Sequence, residues 1–269
     1  MGIPYYAALC YTYYVLLCLK YNGKGKYMRC LLIIPAYNES SNIEQVIKNI
    51  RSKCDFADYL VVDDCSTDDT RSKLAEAGAS YISAPVNLGI GGAVQAGYRY
   101  ALQNDYDIAV QVDGDGQHDV SYISQMVELI ESGEADIVIG SRFIDKKGFQ
   151  SSATRRAGIT FLSGLIFALC GKKIKDVTSG FRAVNRKFIR IYADDYPDDY
   201  PEPEAIVTAL INGGKIHELP VEMHERLGGK SSINFRKSIY YMIKVTLAVI
   251  ICRISLGFRR SKRQESIND

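Results

Sequence analysis

Paired cysteines are missing from this chain. Its seven cysteines (10, 18, 30, 54, 65, 170 and 252) are scattered and odd in number, and no CxxC occurs. That excludes a zinc or disulfide framework and fits a reducing cytosol, with the cysteines as small core residues. Histidine is scarce. His118, His217 and His224 show no metal-ligand spacing, and no Ser/His/Asp or Cys/His signature for nucleophilic catalysis stands out. His217 reads as structural, within a strand, and His224 as an outside candidate near a metal. The glycines of NLGIGGAVQAGY, residues 87–98, lack both the Lys-Ser/Thr of a P-loop and the GxGxxG register. The lysine-bearing glycine loop of a nucleotidyltransferase is absent as well. No apolar run is a comfortable membrane span, and no repeat or low-complexity block is visible. A net charge of +2 carries no footprint of a nucleic-acid partner. The basic residues gather instead in the tail, at Arg259, Arg260, Lys262 and Arg263.

What is present is an alternation of strand and helix signals. Apolar content of 47% and charged content of 24% are those of an ordinary globular protein. Strands are expected at 31–34, 59–62, 81–83, 108–112 and 137–139, with helices at 40–51, 66–77, 91–102 and 120–131 between them. This order predicts an α/β fold with a mainly parallel sheet and right-handed crossovers. Ligands of such sheets sit beyond the carboxyl ends of the strands.

Polar residues cluster at those ends. The segment VQVDGDGQHD, residues 110–119, runs from an apolar strand into Asp113, Gly114 and Asp115. Taken alone, Asp-Gly-Asp reads as a turn with solvated carboxylates. Two carboxylates at a strand end can also converge on one hard divalent ion that keeps open positions for phosphate oxygens. Asp63 and Asp64, at the second strand end, suit hydrogen bonds to a base and a ribose; Asp68 or Asp69 suits a helix N-terminus. A helix starting at Gly91 favours a nearby anion, or its glycines serve only close helix–sheet packing. Arg142, Arg155, Arg156, Arg182, Arg226 and Lys230 form a set suited to diphosphate and phosphate oxygens. The loop from Arg226 to Ser232 reads as a basic lid.

The second half is less regular. Residues 155–170 are apolar nearly all round and flanked by basic residues, so they form either a buried core helix or one lying on a membrane surface. Residues 194–204 are acidic and proline-rich and are expected to be a loop. The apolar stretch 245–251, bracketed by Lys244 and Arg253, suits a surface-lying helix with a basic tail against anionic lipid. Residues 1–27 read as an extension, either poorly ordered or a weak membrane anchor.

The order of LLIIPAYNES, YLVVDDCSTDDT, NLGIGGAVQAGYRYAL, VQVDGDGQHD, IVIGSRF and DVTSGFR resembles a family 2 glycosyltransferase of the GT-A fold. Within that family the chain is most similar to polyprenyl-phosphate glycosyltransferases. The resemblance implies an inverting enzyme that moves a sugar from a nucleotide sugar, a UDP-sugar by analogy, to a polyprenyl phosphate with Mg²⁺ or Mn²⁺. It implies that Pro35, Tyr37, Glu39, Asp63, Asp64, Asn87, Gly91 and Asp113 hold the nucleotide sugar. Asp113, Asp115 and Gln117 would arrange metal and diphosphate. Arg142 and Arg182 join the Asp pair as catalytic candidates, and Arg155, Arg156, Ser179, Arg182, Arg226 and Lys230 would meet phosphates of donor or acceptor. Residues 28–232 would form the GT-A domain, and 233–269 an amphipathic membrane-associating segment. The protein would then be peripheral or monotopic at the cytoplasmic face of the cell membrane, with a small membrane protein as a further partner. A growing polysaccharide hydroxyl is the alternative acceptor, and a noncatalytic nucleotide-sugar-binding subunit the third reading. Cys65 departs from the pattern, standing where many relatives carry glycine.

Overall fold

The computed structural model describes residues 28–145, 148, 153–224 and 242–255. The expectations for residues 1–27, Arg226 and Lys230 lie outside the described residues.

The apolar runs form the strands of one seven-stranded sheet, in the order β3-β2-β1-β4-β6-β5-β7. These are β1 (Cys30–Ala36), β2 (Asp58–Asp63), β3 (Tyr81–Ser83), β4 (Ile108–Gln111), β5 (Ile137–Ser141), β6 (Arg182–Asn185) and β7 (Ile216–Pro220). β6 runs antiparallel to β4 and β5; the other pairs are parallel. β1 is central, and all its residues are buried. Leu31 and Ile33 enter the core on one face of the sheet, and Leu32 and Ile34 the core on the other. A strand covered on both faces needs a continuous apolar run, which is why LLII shows no polar alternation.

Helices α1 (Ile43–Lys53), α2 (Thr70–Glu76), α3 (Gly89–Gln103), α4 (Ile123–Glu131), α5 (Ala153–Cys170), α6 (Arg186–Asp194) and α7 (Pro201–Ile211) flank the sheet. Residues 242–255 are also helical and are named α8 here. The segment 194–204 is not wholly a loop. α7 begins inside it with Pro201 in its first turn and Glu202 and Glu204 beside it. Proline supplies a helical φ where no N–H partner is needed, and the acidic side chains complement the helix N-terminus. The same residues therefore start a helix instead of breaking one.

No helix among the described residues is long and apolar enough to cross a membrane. α5 buries Ile159, Leu162 and Ile166 but exposes Phe161 and Phe167. α8 buries Val245 and Val249 but exposes Ile243, Leu247, Ile251 and Ile254. Arg253 Nε donates to the Leu169 carbonyl, which ties the two helices together. Each thus carries apolar side chains outward, where an ordinary amphipathic surface helix would be polar.

Cys65 follows β2 with φ of +60°. This left-handed conformation costs a side-chain-bearing residue about 1 kcal/mol that glycine avoids. Cys65→Gly is expected to raise stability by about 1 kcal/mol in a denaturant melt. A loss of stability would show that the Cys65 side chain contributes packing that outweighs the strain.

Candidate functional site

The carboxyl ends of β1, β2 and β4 open into a cavity of about 610 Å³ lined by Pro35, Tyr37, Asn38, Glu39, Asp64, Asn87, Asp113 and Asp115, among others. Its walls are loops tied to one another. After β1, Asn38 takes a positive φ, and its Oδ1 accepts from the Thr67 amide at 2.8 Å. The Asn38 amide donates to Ser66 Oγ at 3.0 Å. These bonds join the loops that follow β1 and β2. Asp64 Oδ1 accepts from the Leu88 amide at 2.6 Å, and Asn87 Nδ2 donates to the Asp64 carbonyl at 3.2 Å, joining the loops that follow β2 and β3. Tyr37 remains 48% exposed, an aromatic ring at the cavity wall.

The two adjacent aspartates part company. Asp64 lines the cavity, whereas Asp63 is fully buried and does not. Its Oδ1 accepts from the Ser66 amide, and its Oδ2 from Arg71 Nε and Nη2 at 3.2 and 3.0 Å. Burial alone would push the Asp63 carboxyl up, but hydrogen bonds from Ser66, Ser83 and Arg71 outweigh it and hold the group below the ordinary carboxylate range. Asp63 therefore braces the loop and lies outside the cavity wall that Asp64 lines. Gly91 is engaged by the loop before α7. Its amide donates to the Asp198 carbonyl at 3.0 Å, and a Cβ there would lie 1.9 Å from the Pro197 carbonyl oxygen. This glycine permits close packing of the loop before α7, and its N–H is not presented to an anion.

β4 hands the chain to Asp113 and Asp115, both in the cavity wall. The Asp115 Oδ1 accepts from the Gln117 amide at 3.0 Å, a turn that Gly114 and Gly116 accompany. The Gln117 side-chain Nε2 donates to the His224 carbonyl at 3.3 Å. Among the described residues no group of three or more His, Cys, Asp or Glu side chains could enclose an ion. Two carboxylates with only oxygen donors still fit a hard divalent cation whose remaining positions are filled by water and phosphate oxygens.

The arginines divide in the same way. Arg142 is 7% exposed; its Nε and Nη2 each reach Asp176 at 2.7 Å, and Nη2 also reaches Thr178 Oγ1 at 3.0 Å. Burial would lower its basicity, but the Asp176 carboxylate more than offsets this and pushes it up. Arg182 is 1% exposed, with Nη2 donating to the Ser179 carbonyl at 2.7 Å. Ser179 is 1% exposed and its Oγ donates to the Gly140 carbonyl at 2.7 Å. Arg142, Ser179 and Arg182 are thus all buried and bonded within the protein. Arg155 and Arg156 are exposed at the start of α5. The sequence offers a carboxyl of residues 202–204 only as the base that a hydroxyl acceptor would need. Burial pushes the Glu202 carboxyl up against the pull of Arg182, and it feels the charges of Asp113 and Arg142.

The model of the family described as "Glycosyl transferase family 2" matches residues 31–192. An undecaprenyl-phosphate mannosyltransferase of Micrococcus luteus is 30% identical over 217 residues, 77% of this chain and 88% of the relative. A UDP-N-acetylglucosamine–dolichyl-phosphate N-acetylglucosaminyltransferase of Methanococcus voltae is 30% identical over 211 residues, 71% of this chain and 84% of the relative. Glucosyl-3-phosphoglycerate synthase from Mycobacterium tuberculosis, crystallised with Mn²⁺, UDP-glucose and phosphoglyceric acid, shares the fold with a TM-score of 0.65 at 21% identity, over 86% of this chain and 80% of that one. With its strand-end aspartates in one cavity and a family match over most of its sheet, this chain belongs to glycosyl transferase family 2 and is a glycosyltransferase related to polyprenyl-phosphate sugar synthases.

Proposed function

We propose that the chain transfers a sugar, with inversion, from a nucleotide sugar, a UDP-sugar by preference, to a polyprenyl phosphate. One observation carries this reading: a single cavity is lined both by Tyr37, Asp64 and Asn87 and by the Asp113/Asp115 pair. The first group suits a nucleoside, by ring contact and hydrogen bonding, with Pro35 and Glu39 in the same wall. The second would hold Mg²⁺ or Mn²⁺, which supplies charge stabilisation to the departing diphosphate. A lipid phosphate oxygen attacks the anomeric carbon as the bond to the diphosphate breaks, and the nucleoside diphosphate leaves. An acceptor already anionic at neutral pH needs no general base.

The acceptor side is read from α5 and α8. Their outward Phe161, Phe167, Ile243, Leu247, Ile251 and Ile254 suit acyl chains. Arg155 and Arg156 at the start of α5 suit a phosphate headgroup. Residues 28–232 would then be the transferase unit and 233–269 its membrane-associating segment, at the cytoplasmic face. A polysaccharide hydroxyl is the second reading. The observation in its favour is Glu202, a carboxyl held above its usual range near Asp113 and suited to take a proton.

The test is transfer of label from UDP-sugars and GDP-mannose into butanol-extractable lipid, using the full chain, undecaprenyl phosphate and Mn²⁺, with and without chelator. Metal-dependent label in the lipid phase is expected. Label transferred only to a soluble glycan would sink the lipid acceptor and support the second reading.

A further inference from the structure

Asp113 is held from several sides. Gln111, the last residue of β4, is 1% exposed, and its Nε2 donates to Asp113 Oδ1 at 3.1 Å. The opposite amide orientation would set an amide oxygen against a carboxylate, so the direction of this bond follows from charge. The backbone N–H of Asp113 donates to His118 Nδ1 at 3.0 Å. On the same ring, His118 Nε2 lies 3.5 Å from Asp113 Oδ2. The ring itself cannot drift. It is 8% exposed and stacks on Phe181 with centroids 4.7 Å apart and planes 18° apart. Gly180 closes the remaining side, because a Cβ there would stand 2.8 Å from Gln111 Nε2 and 3.1 Å from Asp113 Oδ2.

The tautomer follows from the bonds. A nitrogen that accepts a backbone N–H carries no proton, so Nδ1 is bare and the proton of the neutral ring sits on Nε2. Nε2 stands 3.5 Å from the Asp113 carboxylate, close to it but outside hydrogen-bond geometry. One imidazole therefore accepts from the main chain of Asp113 and stands beside the side chain of the same residue. We infer that His118 is a positioning residue: it fixes the rotamer of Asp113 and so presents its carboxylate to the metal–diphosphate complex. This inference rests on the proposed metal role of Asp113. Groups that orient a ligating carboxylate commonly change metal affinity by about 10- to 100-fold when removed.

The test measures Mn²⁺ binding by electron paramagnetic resonance on the full chain in saturating UDP. His118→Ala is expected to weaken Mn²⁺ binding at least about tenfold, with affinity for UDP in the absence of metal unchanged. His118→Gln, which restores a donor toward the carboxylate, is expected to recover part of the loss. A merely structural role would lower both affinities together. Nitrogen-15 spectra of the wild-type chain give an independent readout that needs no variant: His118 is expected to carry its proton on Nε2, and a proton on Nδ1 would overturn the inference. If the wild type binds Mn²⁺ and His118→Ala binds it equally well, the metal reading stands and the role of His118 falls. If the wild type with UDP binds no Mn²⁺, both fall.

Discussion

Asp115→Asn is expected to lower kcat/KM for sugar transfer by at least about a thousandfold. Asp115 is 8% exposed and lies in the cavity wall beside Asp113. Under the proposed metal role, loss of one of the two charges of the Asp113/Asp115 pair removes much of the attraction for a divalent cation. A metal contributes several kcal/mol to a departing diphosphate, and about 4 kcal/mol corresponds to a thousandfold at 1.36 kcal/mol per decade. The substitution preserves shape. The asparagine Oδ1 can still accept from the Gln117 amide, as Asp115 Oδ1 does at 3.0 Å. The melting temperature should therefore move little while activity collapses. The measurement is label transfer over a Mn²⁺ titration beside a thermal melt. Activity within about tenfold of wild type at all metal concentrations would remove Asp115 from the metal site.

Asp176→Ala is expected to destabilise the protein by about 3–5 kcal/mol, a fall in melting temperature on the order of 10 °C. Asp176 is fully buried and accepts from the Arg142 amide at 3.0 Å as well as from its guanidinium. Its own amide donates to Glu218 Oε1 at 2.9 Å. Removal of the carboxylate strands a buried guanidinium, and that uncompensated charge dominates the loss. Replacing both partners, Arg142→Met with Asp176→Leu, is expected to be milder than the single change. A melt within a degree or two of wild type for Asp176→Ala would contradict the brace. The same logic separates two roles for Arg142. As a brace, Arg142→Lys lowers the melting temperature and leaves UDP affinity intact; as a phosphate ligand, it would do the reverse.

The site was legible in the sequence to the extent that its residues are local. LLII reads as a strand buried on both faces because a continuous apolar run has few other uses, YLVV and IAVQV alternate with helices in the same order, and the polar residues after them had to meet at one sheet edge. Asp113 and Asp115, two residues apart in a glycine turn, needed no distant partner to share one wall. The start of α7 does not show in composition, because proline and acid mark a loop and a helix N-terminus alike and only position decides between them.

The sequence by itself determined the parallel α/β order, the edge at which the site lies and the carboxylate pair. Only the tertiary structure decided which charged residues face the cavity. Asp63 turns inward because Arg71, eight residues on, meets it there. Arg142 turns inward because Asp176, 34 residues on, meets it in the core. A charged side chain avoids burial unless a partner compensates for lost water. Whether that partner exists is set by which distant segments the sheet brings together, and no local pattern carries that information.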